Sequence, residues 1–261
     1  MDLGISGKRA LVLASTRGIG LGIAKKLAAE GAHVLLCGRS TEKLEKAVAE
    51  IREAGGKAAF LTADLADPGV VDLLEKTVGK ELGGLDILVN NTGGPPPGSM
   101  TGADVDVLAK QFDMMVRRVI EITARFLPAM KAQGWGRVLT VASSGVIQPI
   151  PNLGLSNALR AALVGWSKSM ANENAGDGVT FNMILPGRID TERVEELDAA
   201  NAKRTGKSVE EVRKAALATI PAGRYGTVEE FASVAAFLVS APASYVTGGL
   251  IRCDGGAIKS V

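Results

Sequence analysis

The stretch Ala14-Ser15-Thr16-Arg17-Gly18-Ile19-Gly20 follows an apolar run and leads straight into a helical pattern. Glycines at a strand-to-helix turn let the backbone approach a phosphate, and the helix N-terminus offers unpaired N–H donors and the positive end of a dipole. The competing reading is a glycine pair that only permits tight packing. Other chemistries lack their residues. The chain has a single histidine, His33, so a His-based zinc site is short of ligands and a Ser-His-Asp triad would need His33 itself. His33 opens the strand-like run His33-Val34-Leu35-Leu36-Cys37, which favours a structural role. The two cysteines, Cys37 and Cys253, are too few for a disulfide framework, and a reducing, cytoplasmic setting is expected.

Short apolar runs alternate with helical periodicity along the chain. Strands are predicted at 10–14, 33–37, 58–61, 87–89, 137–141, 179–184 and 250–251. Between them, Ile19, Ile23 and Leu27 recur at helical spacing, residues 41–54 form a second helix, and Val70, Leu74, Val78 and Leu82 mark a third. Such alternation implies right-handed crossovers and a parallel sheet covered on both faces. The expected fold is α/β: a Rossmann-type, doubly wound, seven-stranded parallel sheet in three layers, forming one domain over residues 1–261. With 46% hydrophobic and 22% charged residues and a net charge of +2, the chain has the apolar content for a full core. It has no basic footprint for nucleic acid or acidic membranes. No stretch reaches the length of about 18 apolar residues that a membrane span needs, and the N-terminus lacks a signal-peptide pattern. Ligands in such sheets bind beyond the carboxyl ends of the strands, where strand order reverses.

Several motifs follow those strand ends. Leu88-Val89-Asn90-Asn91-Thr92-Gly93 follows the fourth strand and Pro186-Gly187-Arg188-Ile189-Asp190-Thr191 the sixth. The chain closes with Gly223-Arg224-Tyr225-Gly226, Val246-Thr247-Gly248-Gly249 and Asp254-Gly255-Gly256. Together with the glycine turn, these segments resemble the short-chain dehydrogenase/reductase family over essentially the whole chain, most closely its 3-oxoacyl-(acyl-carrier-protein)-reductase-like members. The resemblance implies a nicotinamide cofactor. Ser15, Arg17, Gly18, Ile19 and Gly20 match the family's turn under the pyrophosphate. Asp64 and Leu65 match the adenine contact, Asn91 and Gly93 the segment at the adenosine ribose, and Pro186, Gly187, Ile189 and Thr191 the stretch that holds the carboxamide. Ala14 replaces the first glycine of the family's turn and would crowd a position that needs φ above zero. The second strand ends in Gly38-Arg39-Ser40 with no acid to hold a ribose hydroxyl, so Arg39 and Arg17, with no competing carboxylate, favour the 2′-phosphate of NADP(H).

The family's chemistry, as the resemblance implies it, uses a tyrosine proton donor, a lysine that lowers its pKa, a serine and a relay asparagine. Ser143 matches the serine. Ser156 stands at the tyrosine position, Arg160 at the lysine and Met115 at the asparagine. Ser156 and Arg160 keep the i, i+4 spacing of one helix face. Arg160 still carries charge and can donate to the nicotinamide ribose, but it cannot bring a serine hydroxyl to neutral pH. Met115 passes no proton and reads as core filler.

Two stiff segments, Gly93-Gly94-Pro95-Pro96-Pro97-Gly98 and Gln148-Pro149-Ile150-Pro151, read as pocket walls or as merely rigid loops. Residues 190–221 occupy the family's substrate-lid position. Within it, 198–204 reads as a solvated helix, and Arg188 or Arg193 is placed either to meet an anionic substrate or to face water. The resemblance also implies a homodimer or homotetramer. The helix face Leu159, Leu163, Trp166 and Met170 is compatible with that assembly and equally with intrachain core. The expected activity is NADP(H)-dependent oxidoreduction of a small carbonyl, alcohol or enoyl substrate. The altered catalytic positions favour the alternative of a silent NADP(H)-binding sensor or assembly partner.

Overall fold

Alternate residues of each strand drop into two different cores, and that division organises the chain. The computed structural model covers residues 1–261. Its strands are β1 (Arg9–Val12), β2 (His33–Gly38), β3 (Lys57–Thr62), β4 (Ile87–Asn90), β5 (Gly136–Val141), β6 (Val179–Pro186) and β7 (Leu250–Cys253). They form one seven-stranded sheet in the order β3-β2-β1-β4-β5-β6-β7, with every pairing parallel. Both faces are covered, so the strands read as near-continuous apolar runs. Ala10, Val12, Val34, Leu36, Ile87 and Val89 pack with α1 (Gly18–Ala29), α2 (Thr41–Glu53) and α9 (Val228–Leu238). Leu11, Leu13, Leu35, Cys37, Leu88 and Phe181 turn to the other face, against α3 (Val70–Leu82) and α5 (Arg118–Ala132). The period of two along a strand makes this partition unavoidable.

Between β4 and α5 the chain forms α4 (Val105–Phe112) and one π-helical turn, Asp113–Arg117, so that α4 and α5 run as one bulged helix. Helix α6 (Gly154–Asn174) crosses to β6. Its residues Leu159 and Leu163 are buried, and Trp166 meets Phe181 edge-on at 6.3 Å between ring centroids. That helix face is intrachain core, the second of the two alternatives open for it. Residues 190–221 carry α7 (Glu192–Thr205) and α8 (Val209–Leu217). The expectation that 198–204 is solvated is corrected at Asp198 and Ala202, both buried. Asp198 is 3% exposed and accepts from the Tyr225 hydroxyl at 2.9 Å and from Arg188.

At the amino ends of the strands, Asp86 is buried against Arg9. It accepts Nε and Nη2 of Arg9 at 2.8 Å each and the Arg9 backbone N–H at 2.9 Å. Strand order reverses at the β1/β4 boundary, and the loops beyond the carboxyl ends of these two strands hold the candidate site.

Candidate active site

The turn after β1 is built on left-handed backbone. Ala14 lies at φ +46° and Gly18 at φ +55°. For Gly18 the conformation is free, whereas for the alanine it costs about 1–2 kcal/mol. The crowding anticipated for a methyl at position 14 is thus present, and the surrounding bonds hold it. Asn91 Nδ2 donates to the carbonyls of Leu13 and Ala14 at 3.3 and 3.2 Å. A Cβ on Gly20 would stand 2.5 Å from the Ala14 carbonyl oxygen and 2.7 Å from Asn91 Nδ2, so only glycine fits there. Helix α1 starts with no side-chain cap and no acid in its first turn, which leaves its N–H donors and positive dipole end uncompensated.

Two expectations for this turn are corrected. Ser15 is wholly buried. Its hydroxyl donates to Val12 O at 2.8 Å and accepts from Cys37 N at 3.0 Å, so it braces β1 to β2 and does not line the cleft. Arg17, expected as a phosphate contact, is already engaged: it is hydrogen-bonded to Glu192 and to Glu196, the latter at 3.0 Å, both on α7. Arg39 is 79% exposed and stands 3.9 Å from Asp64, itself half-exposed.

Around this turn the remaining cofactor-segment residues fall into place by backbone packing. Leu65 is buried and its carbonyl accepts from Arg118 Nε at 3.0 Å. Gly93 has open space on its side-chain side, with no atom within 4 Å of where a Cβ would be. Pro186 ends β6, and Gly187 approaches Asp254 so closely that a Cβ would lie 2.6 Å from its Cα. Ile189 turns its side chain into the core. Thr191 caps α7 and donates to Ile189 O at 3.2 Å. Its Cγ2 would meet a Cβ on Gly18 at 3.6 Å, so α7 starts directly over the glycine turn.

Ser143 follows β5 in extended backbone. Its Oγ accepts from Gly145 N at 3.1 Å, which leaves its own proton free. Ser156 sits in the first turn of α6, half-buried, with its hydroxyl bound to no protein group. Arg160, one turn on, is 8% exposed. Its Nη1 donates to Val141 O at 3.0 Å and its Nη2 to Thr92 O at 3.5 Å, and no carboxylate lies within ion-pair distance. Burial, then the charge of Arg193, push its pKa down to about 10, so at neutral pH it remains a cation. Met115 is 1% exposed on the π-helical turn, packed with Val116, Val119, Ala142, Leu159 and Leu163, as core filler.

Several contacts have no signal in the sequence. Asn157 pins the proline-bearing loop to α6 by exchanging two hydrogen bonds with Ile150, at 2.9 and 3.2 Å. Arg193 Nη2 donates to Pro95 O at 3.0 Å and so ties α7 to the triple-proline segment. Arg188, an alternative candidate for an anionic substrate, is already engaged by Asp198. Neither tyrosine substitutes for Ser156. Tyr225 is buried with its hydroxyl on Asp198, burial raising its pKa, and Tyr245 is fully exposed.

Comparison with known proteins gives three kinds of match. A family model described as enoyl-(acyl carrier protein) reductase matches residues 13–257. The chain is 35% identical to the D-beta-hydroxybutyrate dehydrogenase of Cupriavidus necator, covering 97% of this chain and 98% of the relative. It is 34% identical to the 3-oxoacyl-(acyl-carrier-protein) reductase FabG of Salmonella typhimurium, again over 97% and 98%. Among solved structures it is similar to the L-sorbose reductase of Gluconobacter frateurii complexed with NADPH and L-sorbose. That match has a TM-score of 0.94 and 32% identity, over 100% of each chain.

Proposed function

The chain belongs to the short-chain dehydrogenase/reductase family, and from that premise we propose that it is an NADP(H)-dependent oxidoreductase of a small carbonyl or alcohol, or of an enoyl compound. The observation that carries the reading is the set of loops beyond the carboxyl ends of the strands at the β1/β4 switch point. It has an uncapped α1 N-terminus at one end, flanked by Arg17 and Arg39, and the acid-free cation Arg160 at the other. Donor chemistry fits the group at each end: unpaired N–H groups and arginines suit phosphates, and an unpaired guanidinium suits ribose hydroxyls or a developing oxyanion. Similarity to a reductase complexed with NADPH supports the choice of cofactor.

In this reading Gly18, Ile19 and Gly20 bind the pyrophosphate, Asp64 and Leu65 flank the adenine, and Asn91 and Gly93 flank its ribose. The backbone of Pro186, Gly187, Ile189 and Thr191 faces the carboxamide. When bound, the nicotinamide supplies or accepts a hydride. The chain's own residues then orient the reactants: Ser143 and Ser156 hold the substrate oxygen with O–H donors, and Arg160 donates to the nicotinamide ribose. Neither serine is an effective acid, so the proton comes from water.

Calorimetric titration of the nucleotide-free protein tests this. NADPH is expected to bind more tightly than NADH, and Arg160→Ala to weaken NADPH by about tenfold, the worth of one charge-assisted hydrogen bond. Unchanged NADPH affinity in that variant removes the ribose role. Failure of both nucleotides to bind the wild type leaves the silent, partner-binding alternative.

A homodimer or homotetramer is part of the same reading. Helix α4 buries none of its residues and exposes Val105, Val107 and Phe112, while Tyr245 and Leu250 are exposed at the β7 edge. Sedimentation equilibrium is expected to give a dimer or tetramer, and a monomer at micromolar concentration overturns it. A cytoplasmic setting fits the two unpaired cysteines.

A further inference from the structure

Of the three buried arginines in this protein, one has an acid partner and two rest on backbone carbonyls. Arg118 has Glu121 at 2.7 Å. Arg137 donates to the carbonyls of Gly136, Gly178 and Ser240, and its guanidinium lies 4.3 Å from the centre of the Trp135 ring. Arg160 has one good carbonyl contact and no acid. A second cation, Arg193, comes down from the lid onto the same loop. A Cβ on Gly94 would stand 3.4 Å from Arg193 Nη2 and 4.0 Å from Arg160 Nη2. Both guanidinium tips therefore converge on Gly94, and Arg193 depresses the pKa of Arg160. Arg193 has Glu196 at 3.6 Å, too long for a hydrogen bond, and Glu196 already serves Arg17.

We propose that Arg160 and Arg193, converging over Gly94, form a subsite for a carboxylate carried by the substrate. The inference rests on the oxidoreductase reading above and narrows its substrate to a small oxo acid or the corresponding hydroxy or unsaturated acid. Two like charges, one of them buried without a counter-ion, are a repulsive arrangement that an anion between them relieves. Planar guanidinium forks match a carboxylate with paired N–H donors. Glycine at 93 and 94 leaves the space, and Pro95, Pro96 and Pro97 keep the wall stiff. The subsite adjoins the reacting centre, because Arg160 is bonded to Val141 O, two residues before Ser143. An anchored carboxylate fixes the reacting carbon against the two serines, so that orientation and charge stabilisation replace part of the missing acid catalysis. It also distinguishes the two arginines: Arg193 reaches Gly94 and is held there by the Pro95 carbonyl, whereas Arg188 is paired with the carboxylate of Asp198.

The test is calorimetric titration with oxamate, an unreactive oxo-acid mimic, and with oxamide as its uncharged isostere, in the presence and absence of NADPH. Oxamate is expected to bind saturably and about tenfold or more tightly than oxamide. Arg193→Gln should weaken oxamate by about tenfold while NADPH affinity stays within about twofold, and Arg193→Lys should recover part of the loss. No oxamate binding, equal binding of the two probes, or unchanged oxamate affinity in Arg193→Gln overturns the subsite. Oxamate binding with no NADPH binding keeps the subsite and removes the nicotinamide reading on which its substrate assignment rests.

Discussion

Combining Ser156→Tyr with Arg160→Lys and Met115→Asn is expected to raise NADPH-dependent reduction of a simple ketone by about 100- to 10,000-fold, the worth of one well-placed general acid. Three observations carry this. Ser156 and Arg160 lie one turn apart on α6, and the Ser156 hydroxyl is bound to no protein group. A phenol there would titrate from about 10 downward under the field of the lysine at 160, whereas a serine hydroxyl stays far out of reach. Ser143 is already in place with its own proton free. The asparagine at 115 is the costly member, because Met115 is buried among apolar side chains and an amide there costs about 1–3 kcal/mol unless it finds partners. The double variant at 156 and 160 therefore belongs in the experiment as the more stable control. Initial rates of NADPH oxidation give the comparison, and the gain should follow the ionisation of the introduced phenol with pH. A folded triple variant with no gain would mean that the pocket does not present a carbonyl to this position.

Asp86→Ala should destabilise the fold by about 2–3 kcal/mol, since it removes the carboxylate that accepts two hydrogen bonds from the Arg9 guanidinium and one from its backbone N–H, leaving Arg9 only the Gly83 carbonyl and Gln133. In a chain of this size that corresponds to a drop of roughly 5–10 °C in melting temperature. The dependence on pH identifies the cause. Burial pushes the Asp86 carboxyl up, but the Arg9 side chain, its backbone N–H and its charge together pull it further down, so its net shift is downward. A carboxylate lowered in the folded state contributes its full stability above the unfolded value of about 3.9 and loses it as pH falls through the folded value. The deficit of Asp86→Ala relative to wild type should thus be complete at neutral pH and shrink only in acid below about pH 4. Arg9→Met has the opposite logic for the carboxyl: burial is left unopposed, the folded pKa rises above the unfolded one, and the penalty develops as pH increases. Urea unfolding at several pH values separates the two variants. A wild-type-to-Asp86→Ala difference that is flat through the acid range would show that the carboxylate charge contributes nothing.

How much of this was legible in the residues depended on whether the cause was local. The sheet was legible because burial on both faces leaves its mark within each strand: Val34-Leu35-Leu36-Cys37 has no polar alternation to mislead. Most strand ends moved outward by a residue or two, since backbone pairing continues past the last apolar side chain, as at Pro186, whereas β1 stops at Val12, two residues short of the predicted end, before the left-handed turn at Ala14. Ala14 could be seen to stand where a glycine is expected, but its left-handed backbone is imposed by Asn91, which reaches it from the far side of the switch point. Asp198 looked solvated because its neighbours in sequence are; its partner Tyr225 arrives from beyond α8. Arg17 looked free for the same reason, and its carboxylates come from the lid. Charged residues thus misled more than apolar ones: a hydrophobic residue needs any interior, whereas a charge needs a specific partner, and spacing along the chain does not name it.

In the proposed reading, Arg17 also makes nucleotide entry an exchange rather than a capture. Its guanidinium is already satisfied by Glu192 and Glu196, so a phosphate in the proposed pose displaces two resident carboxylates and wins only the difference between two ion pairs. Those carboxylates are tethered to the lid and never diffuse away. They act as an internal competitor at very high effective concentration, which trims affinity and, when the spent nucleotide loosens, is there to take its place. A site arranged in this way gives up tightness in return for turnover.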